Sequence, residues 1–375
     1  MIYLDNNAST PVDPEVAEEV SSTLYSNFGN PSSTHYFGLK AKAAVEDARS
    51  RLASLIHADP EEIIFTSGGT ESNNLAIIGT ARKYKKGHII TSLIEHPSVL
   101  NPCKYLEDIG FDVTYLRVDS NGMISPDELR DSLRHDTVLI TIMHANNETG
   151  VLQPAEEIGR IAKEKNIAFH TDAAQTVGKI PVDVRRLNVD MMTIVSHKFY
   201  GPKGIGAIYV RKGLILNPIL FGARHERGLR PGTENVPGIA GIGKACELAN
   251  KHINDRMSQS KKLTDMLYTG LNERTPSIIL NGHKTLRLPN TLNVCIPGSD
   301  SIDLLGRIRD KVAASSGSAC HSGVRKPSSI LTAMGLSDMD AMSSVRLSTG
   351  KDNTEEEIYE AIEIISEAIK QMTKA

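Results

Sequence analysis

Lys198 closes the run Thr193-Ile194-Val195-Ser196-His197-Lys198 and is followed at once by Phe199-Tyr200-Gly201-Pro202-Lys203-Gly204. A lysine at the end of a β-rich apolar run, just before a glycine turn, is held on a rigid edge beside a cleft. Desolvation there makes its amine nucleophilic, which is the chemistry of a Schiff-base lysine; an exposed turn lysine is the plainer alternative. Upstream, Ala168-Phe169-His170-Thr171-Asp172 is a second apolar run that ends on a carboxylate. Pyridoxal phosphate needs both a lysine for its aldehyde and an acid partner for its pyridinium nitrogen. Asp172 and Lys198 are the pair that would close on one such ring.

Other residues fall around this pair. Thr66-Ser67-Gly68-Gly69-Thr70-Glu71 follows a strand-like run and opens a helical stretch from 72 to 83. Its glycines let the backbone approach an anion, and free N–H groups at the helix start, with the Thr70 hydroxyl, suit a phosphate. His197 adds a donor beside the lysine. His96, in Glu95-His96-Pro97, can lie against a flat ring or simply face water. Asn146-Asn147-Glu148-Thr149-Gly150 ends another strand and offers amides, and Gln175 lies three residues past Asp172, within reach of a ring oxygen. Ser315-Ser316-Gly317-Ser318-Ala319-Cys320-His321-Ser322-Gly323 carries a thiol in a small-residue run, with Arg325 and Lys326 nearby to favour the thiolate. It reads either as a sulfur carrier or as a linker with an incidental cysteine. Arg346, in the strand-like Ser344-Val345-Arg346-Leu347-Ser348, faces either water or a carboxylate.

The elements that must position these groups alternate. Between about 62 and 211, runs at 63–65, 88–91, 113–116, 138–142, 168–170 and 192–195 are separated by helical stretches such as 155–165. Unbroken apolar strands alternating with helices predict an α/β fold, with a mostly parallel central sheet covered by helices on both faces. Ligands gather at the carboxyl ends of such strands. After about 240 the pattern becomes a long helix, a strand at 291–296, a helix at 301–311, a strand at 345–347 and a final helix. Thr354 and Glu357 form a capping box for that helix, and Ile358, Ala361, Ile362, Ile365 and Ile369 make its apolar stripe. This second pattern predicts a smaller α+β domain of residues 1–12 with 250–375, beside a large domain of residues 13–249.

With 375 residues and 40% hydrophobic content the chain can fill a sizeable core. Its net charge of −3 comes without a basic block, which argues against direct nucleic-acid binding. No run approaches a membrane span, and no secretion signal opens the chain, so the expected setting is the cytoplasm. Cys103, Cys246, Cys295 and Cys320 lie far apart, without zinc-type spacing, so no metal site is expected. The first three sit in helix-like or strand-like apolar patterns.

The constellation resembles the cysteine desulfurases, pyridoxal phosphate enzymes of fold type I in the class V aminotransferase superfamily, over nearly the whole chain. The resemblance rests on Leu4 to Pro11, Thr66 to Asn74, Asn146 to Gly150, Asp172 to Gln175, His197-Lys198 with Gly201 to Gly204, Arg230-Pro231-Gly232-Thr233-Glu234-Asn235, and Ser316 to Cys320. The segment from Cys320 through Pro327 to Gly335 is similar to the first of the two desulfurase groups, whose cysteine rides a mobile loop. The resemblance implies that Lys198 tethers the cofactor, Asp172 pairs its ring nitrogen, Gln175 its O3′, and His96 stacks on the ring. Gly69, Thr70 and His197 would hold the phosphate, with Thr233 from the other subunit of a homodimer. Asn147 and Arg346 would hold the carboxylate of L-cysteine, and Cys320 would take the sulfur for an acceptor such as an iron–sulfur scaffold. Desulfurases have a phosphate-binding serine where this chain has Val195; Ser196, one position later, is the hydroxyl left for that contact. His321 and Val195 resemble the selenocysteine lyases, a second reading. A cofactor-free scaffold that only binds assembly partners is a third.

Overall fold

The computed structural model describes residues 1–317, 319–321 and 324–373, with the side chains of 319–321, 324, 325 and 373 outside that description. Seven strands form the main sheet, in the order Ile63–Thr66, Gly206–Val210, Met191–Val195, Ala168–Asp172, Thr137–Thr141, His88–Ser92 and Asp112–Leu116. Five of them, from Met191–Val195 to Asp112–Leu116, run parallel. The strand Gly206–Val210 runs antiparallel to both its neighbours. Sequence patterning located the other six strands and missed this one, because it follows directly on the Gly201–Gly204 turn. Its reversed direction comes from the tight return after Lys198.

The parallel strands are apolar along their whole length because helices cover both faces. On one face Phe169, Ile140 and Ile194 pack with Val45, Leu52 and Ile242. On the other, Ile64, Ile89 and Leu139 pack with Leu75, Ile77 and Val99. A second sheet of four strands runs in the order Ser315–Ser316, Ser344–Ser348, Thr291–Cys295 and Ile279–Leu280, entirely antiparallel. Its core contains Leu292, Val294, Val345 and Leu347 with Ile358, Ile362 and Ile365, so the apolar stripe of the last helix faces inward.

One helix of 39 residues, Val236–Arg274, joins the two cores. At 1.5 Å per residue it is about 58 Å long. Its first half supplies Ile239, Ile242 and Cys246 to the large core, and its second half supplies Leu263, Leu267 and Leu271 to the smaller one. Close approach needs a residue without a side chain at Gly243, where a Cβ would lie 2.6 Å from that of Ala48. The amino-terminal segment works as a second link. Tyr3 pairs with Ala313, Asn7 Nδ2 reaches Thr291 Oγ1 at 2.8 Å, and Thr10 N reaches the carbonyl of His197 at 2.9 Å.

Candidate active site

Three parallel strands of the main sheet stop on the same edge, and the residues just past their ends converge. Asp172 is the last residue of its strand, Ala145 and Asn147 follow Thr137–Thr141, and His96 follows His88–Ser92. Lys198 comes from the turn Ser196–Lys198 after Met191–Val195. With Asn7 and Ala8 of the amino-terminal segment and Arg346 of the second sheet they line a cavity of about 410 Å³, which Gly69, Thr70, Gln175, Val195 and His197 also enclose. That volume lies in the range of small-molecule sites.

Lys198 Nζ donates to the carbonyls of Asn7 and Ala8, each at 2.7 Å. Burial, reinforced by the Arg346 charge, lowers its pKa to about 8. At pH 7 roughly a tenth of such amines are neutral, against roughly three in ten thousand for an ordinary lysine. The gain in nucleophile is several-hundred-fold. His197 is depressed to about 4, first by burial and then by Lys198, and so stays neutral.

Asp172 Oδ1 accepts the Ala174 N–H at 2.9 Å and Oδ2 accepts Asn73 Nδ2 at 2.7 Å. These bonds orient the carboxylate. Gln175 is held as a donor from behind. Its Oε1 accepts Lys179 Nζ at 2.7 Å and one amide N–H goes to the Asn7 carbonyl at 3.0 Å, which leaves the second N–H for the cavity. Lys179 also donates to Asn7 Oδ1 at 2.8 Å, and burial holds its pKa well below the usual lysine range.

The Asn146 side chain builds the next wall. Its Oδ1 accepts the N–H groups of Glu148 and Thr149 at 2.9 and 3.0 Å, which curls Asn147 toward the cavity. Arg346 donates to the Asn147 carbonyl at 3.1 Å and pairs with Asp5 Oδ1 at 2.7 Å. An incoming carboxylate would therefore share this arginine with Asp5. Among the described residues that line the cavity, two buried side-chain atoms have no partner, Asn147 Oδ1 and Arg346 Nε. Unpaired buried polar atoms of this kind point to a missing polar ligand.

At the other end, Gly68 has φ +147 and opens the helix Gly69–Ala81. A Cβ on Gly69 would lie 2.7 Å from Val195 Cγ2, so only glycine fits this approach of helix to strand. His96 caps the helix Pro97–Asp108, its Nδ1 accepting the Ser98 N–H at 3.1 Å.

Of the residues singled out from sequence, Gly69, Thr70, His96, Asn147, Asp172, Gln175, His197, Lys198 and Arg346 all line this cavity. Ser196 does not. It is fully buried behind the turn, and its Oγ sits 2.0 Å from where a Cβ on Gly201 would be. Alternation at the strand end turns positions 195 and 197 inward and 196 outward, so Val195 takes the place facing Gly69. Thr233 is exposed and away from the cavity of its own chain. The Cys320 backbone pairs with Arg325 in a short hairpin, and its side chain lies outside the described residues. Sequence reasoning gave no role to Asn7, Asn73, Ser98 or Lys179. The one available signal was the spacing of Lys179 four residues after Gln175.

Fold and cavity together define an α/β protein with a half-buried lysine and a buried aspartate at the carboxyl edge of a parallel sheet. The chain belongs to the aminotransferase class-V family, whose model matches residues 2–360. Proteins of this family and the cysteine desulfurases in it are pyridoxal phosphate-dependent. It is 48% identical over 374 residues to a protein of Methanosarcina thermophila named cysteine desulfurase IscS, covering 99% of this chain and 92% of that one. A protein of the same name from Dictyoglomus turgidum is 45% identical, with 99% and 95% covered. Among solved structures, one described as a NifS-like protein superposes with a TM-score of 0.93 at 38% identity, covering 99% of each chain. SspA in complex with cysteine superposes with a TM-score of 0.84 at 41% identity, covering 94% of this chain and all of the other.

Proposed function

We propose that this protein is a cysteine desulfurase that uses pyridoxal 5′-phosphate to take sulfur from L-cysteine, releasing L-alanine and leaving a persulfide on Cys320. The observation that carries the reading is the meeting of Lys198 and Asp172 in one cavity with the unpartnered Asn147 and Arg346 atoms. The residues present fit the cofactor: an amine with a lowered pKa, an oriented carboxylate, an amide donor fixed by Lys179, and a glycine approach that a Cβ would fill. When bound, pyridoxal phosphate supplies an electrophilic carbon for an amine and a conjugated ring that takes up an electron pair released at the substrate's Cα.

This chain's residues would do the rest. Lys198 would tether the cofactor, and its neutral amine, when free, would take the Cα proton. Asp172 would hold the ring nitrogen, Gln175 would donate to the ring oxygen, and His96 would cover the ring. Gly69, Thr70 and His197 would hold the phosphate, while Arg346 and Asn147 would hold the substrate carboxylate. Cys320 thiolate then attacks the substrate sulfur. The carbon–sulfur bond breaks, its electron pair stays with the three-carbon fragment, and that fragment is protonated and leaves as alanine.

The other thiols support this choice of Cys320. Cys103, Cys246 and Cys295 are buried, and burial raises all three, Cys103 to about 12 and Cys295 to about 11. None of them is a thiolate near neutral pH. A persulfide is a reversible cargo state suited to an acceptor thiol or an iron–sulfur scaffold protein.

The working unit in this reading is a homodimer, with Thr233 reaching the partner's phosphate. It is supported by a patch of exposed apolar side chains: Tyr25 is 82% exposed, Phe28 68% and Tyr36 71%. Phe28 and Phe37 pack with their rings tilted and the centroids 4.9 Å apart. Side chains of this size on one surface call for a partner.

The test is alanine release from cysteine and from selenocysteine, with and without an acceptor thiol. Faster release from cysteine, stimulated by the thiol and lost in Cys320→Ser, is the expected result. Release from selenocysteine alone, unchanged in Cys320→Ser, would move the assignment to a selenocysteine lyase. A protein that takes up no cofactor would leave only the scaffold.

A further inference from the structure

The two ring nitrogens of His96 are not equivalent. Its Nδ1 accepts the Ser98 backbone N–H at 3.1 Å, and an accepting ring nitrogen carries a lone pair and no proton. Ser98 Oγ lies 2.7 Å from the same atom. The direction of that second bond is fixed from the far end. Asp172 as a carboxylate can only accept, so the Asn73 amide must present Nδ2 to Asp172 Oδ2, at 2.7 Å. The other N–H of that amide goes to Ser98 Oγ at 2.8 Å. The hydroxyl accepts from Asn73, and its single hydrogen is free for His96 Nδ1.

The ring proton is thereby placed on Nε2, which has no partner among the described residues. Protonating the ring further would set an Nδ1–H against the Ser98 N–H, donor against donor, and would break the cap of the helix Pro97–Asp108. Burial and the Lys198 charge, opposed by Asp172, also hold His96 below its ordinary pKa.

We propose that Asn73 is a positioning residue that acts through Ser98 to lock His96 in its Nε2–H tautomer, so that His96 meets whatever enters the cavity as a hydrogen-bond donor. Proton acceptance then falls to Lys198. The catalytic meaning rests on the function proposed above, whereas the tautomer is a property of the chain's own atoms.

The experiment is ring-nitrogen NMR on the full-length protein labelled with ¹⁵N-histidine, loaded with cofactor and, in parallel, as purified, from pH 6 to 9. His96 is assigned by the signals lost in His96→Asn. The wild type should show an unprotonated Nδ1 and a protonated Nε2 throughout. With only the longer 3.1 Å bond from the Ser98 N–H left to hold Nδ1, Asn73→Ala and Ser98→Ala should each move the Nδ1 shift toward the mixed-tautomer value, and Ser98→Thr, which keeps both hydroxyl and N–H, should keep the wild-type shift. Ser98→Ala answers alone if Asn73→Ala does not fold. A protonated Nδ1 in the wild type, or Nδ1 shifts unmoved in both alanine variants, overturns the proposal. Failure to take up cofactor would sink the reading of the cavity and still leave the tautomer decided.

Discussion

Lys198 owes its reactivity to where the chain puts it rather than to any partner that activates it. Its Nζ meets two backbone carbonyls and no carboxylate at ion-pair distance among the described residues, and burial outweighs the attraction of Asp172 and Asp5. The neutral fraction of the amine therefore rises as pH climbs through about 8. The rate at which the cofactor-free protein captures a small aldehyde at Lys198 should rise over the same interval and level off above it, as followed by stopped-flow absorbance. A profile still climbing at pH 10 would mean an ordinary exposed lysine. Lys198→Ala should lower alanine formation by at least 10³-fold, since nucleophile and proton acceptor go together. Cys320→Ser should leave cofactor uptake intact and abolish the persulfide detected by mass spectrometry. Among the cysteines, sequence patterning separated Cys320 from the other three because packing cysteines sit in apolar periodic runs. It could not order Ser196 and Val195, because which side of a strand end faces a cavity depends on the turn that follows.

At the scale of elements, the Asn146–Gly150 turn ties the main sheet to the segment that bears Cys320. Glu148 Oε2 accepts Ser328 Oγ at 2.6 Å, and a Cβ on Gly317 would fall 2.1 Å from the same oxygen. One half-buried carboxyl thus touches both flanks of the 317–328 segment. Burial raises its pKa to about 7. A carboxyl whose pKa is higher in the folded state favours folding below its unfolded value, near 4.5, and loses that contribution as pH rises through about 7. Glu148→Gln keeps the shape and removes the titration. Its stability relative to wild type, from urea unfolding, should improve by on the order of 2 kcal/mol between pH 5 and pH 8. No change in that difference would show that Glu148 titrates as if in water. Six strands of the main sheet were legible because apolar β-rich runs bounded by turn residues leave few alternatives. Gly206–Val210 was not, since its antiparallel placement is a property of the whole sheet, as is the meeting of Glu148 with Gly317, 169 positions away in sequence.

The molecule as a whole brings two sheets to one cavity. The Val236–Arg274 helix and the segment from Leu4 to Thr10 hold them together, and Asn7 contacts Lys179, Lys198, Gln175 and Thr291 at the join. Asn7→Ala should weaken cofactor retention while the main core stays folded, seen as faster loss of bound cofactor in dialysis with an unchanged far-ultraviolet spectrum. Exposed Tyr25, Phe28 and Tyr36 belong to the same scale. Replacing Phe28 and Tyr36 together by serine should shift sedimentation from dimer toward monomer, and a wild-type protein that sediments as a monomer would remove the second subunit from the account.

The most direct measurement is of the covalent bond itself. The protein is incubated with pyridoxal 5′-phosphate, reduced with borohydride and digested, and the modified peptide is identified by mass spectrometry. Stoichiometric modification of Lys198, absent in Lys198→Ala, is the predicted result. Modification of Lys179 instead, or of no lysine at all, would contradict the claim that Lys198 is the tether.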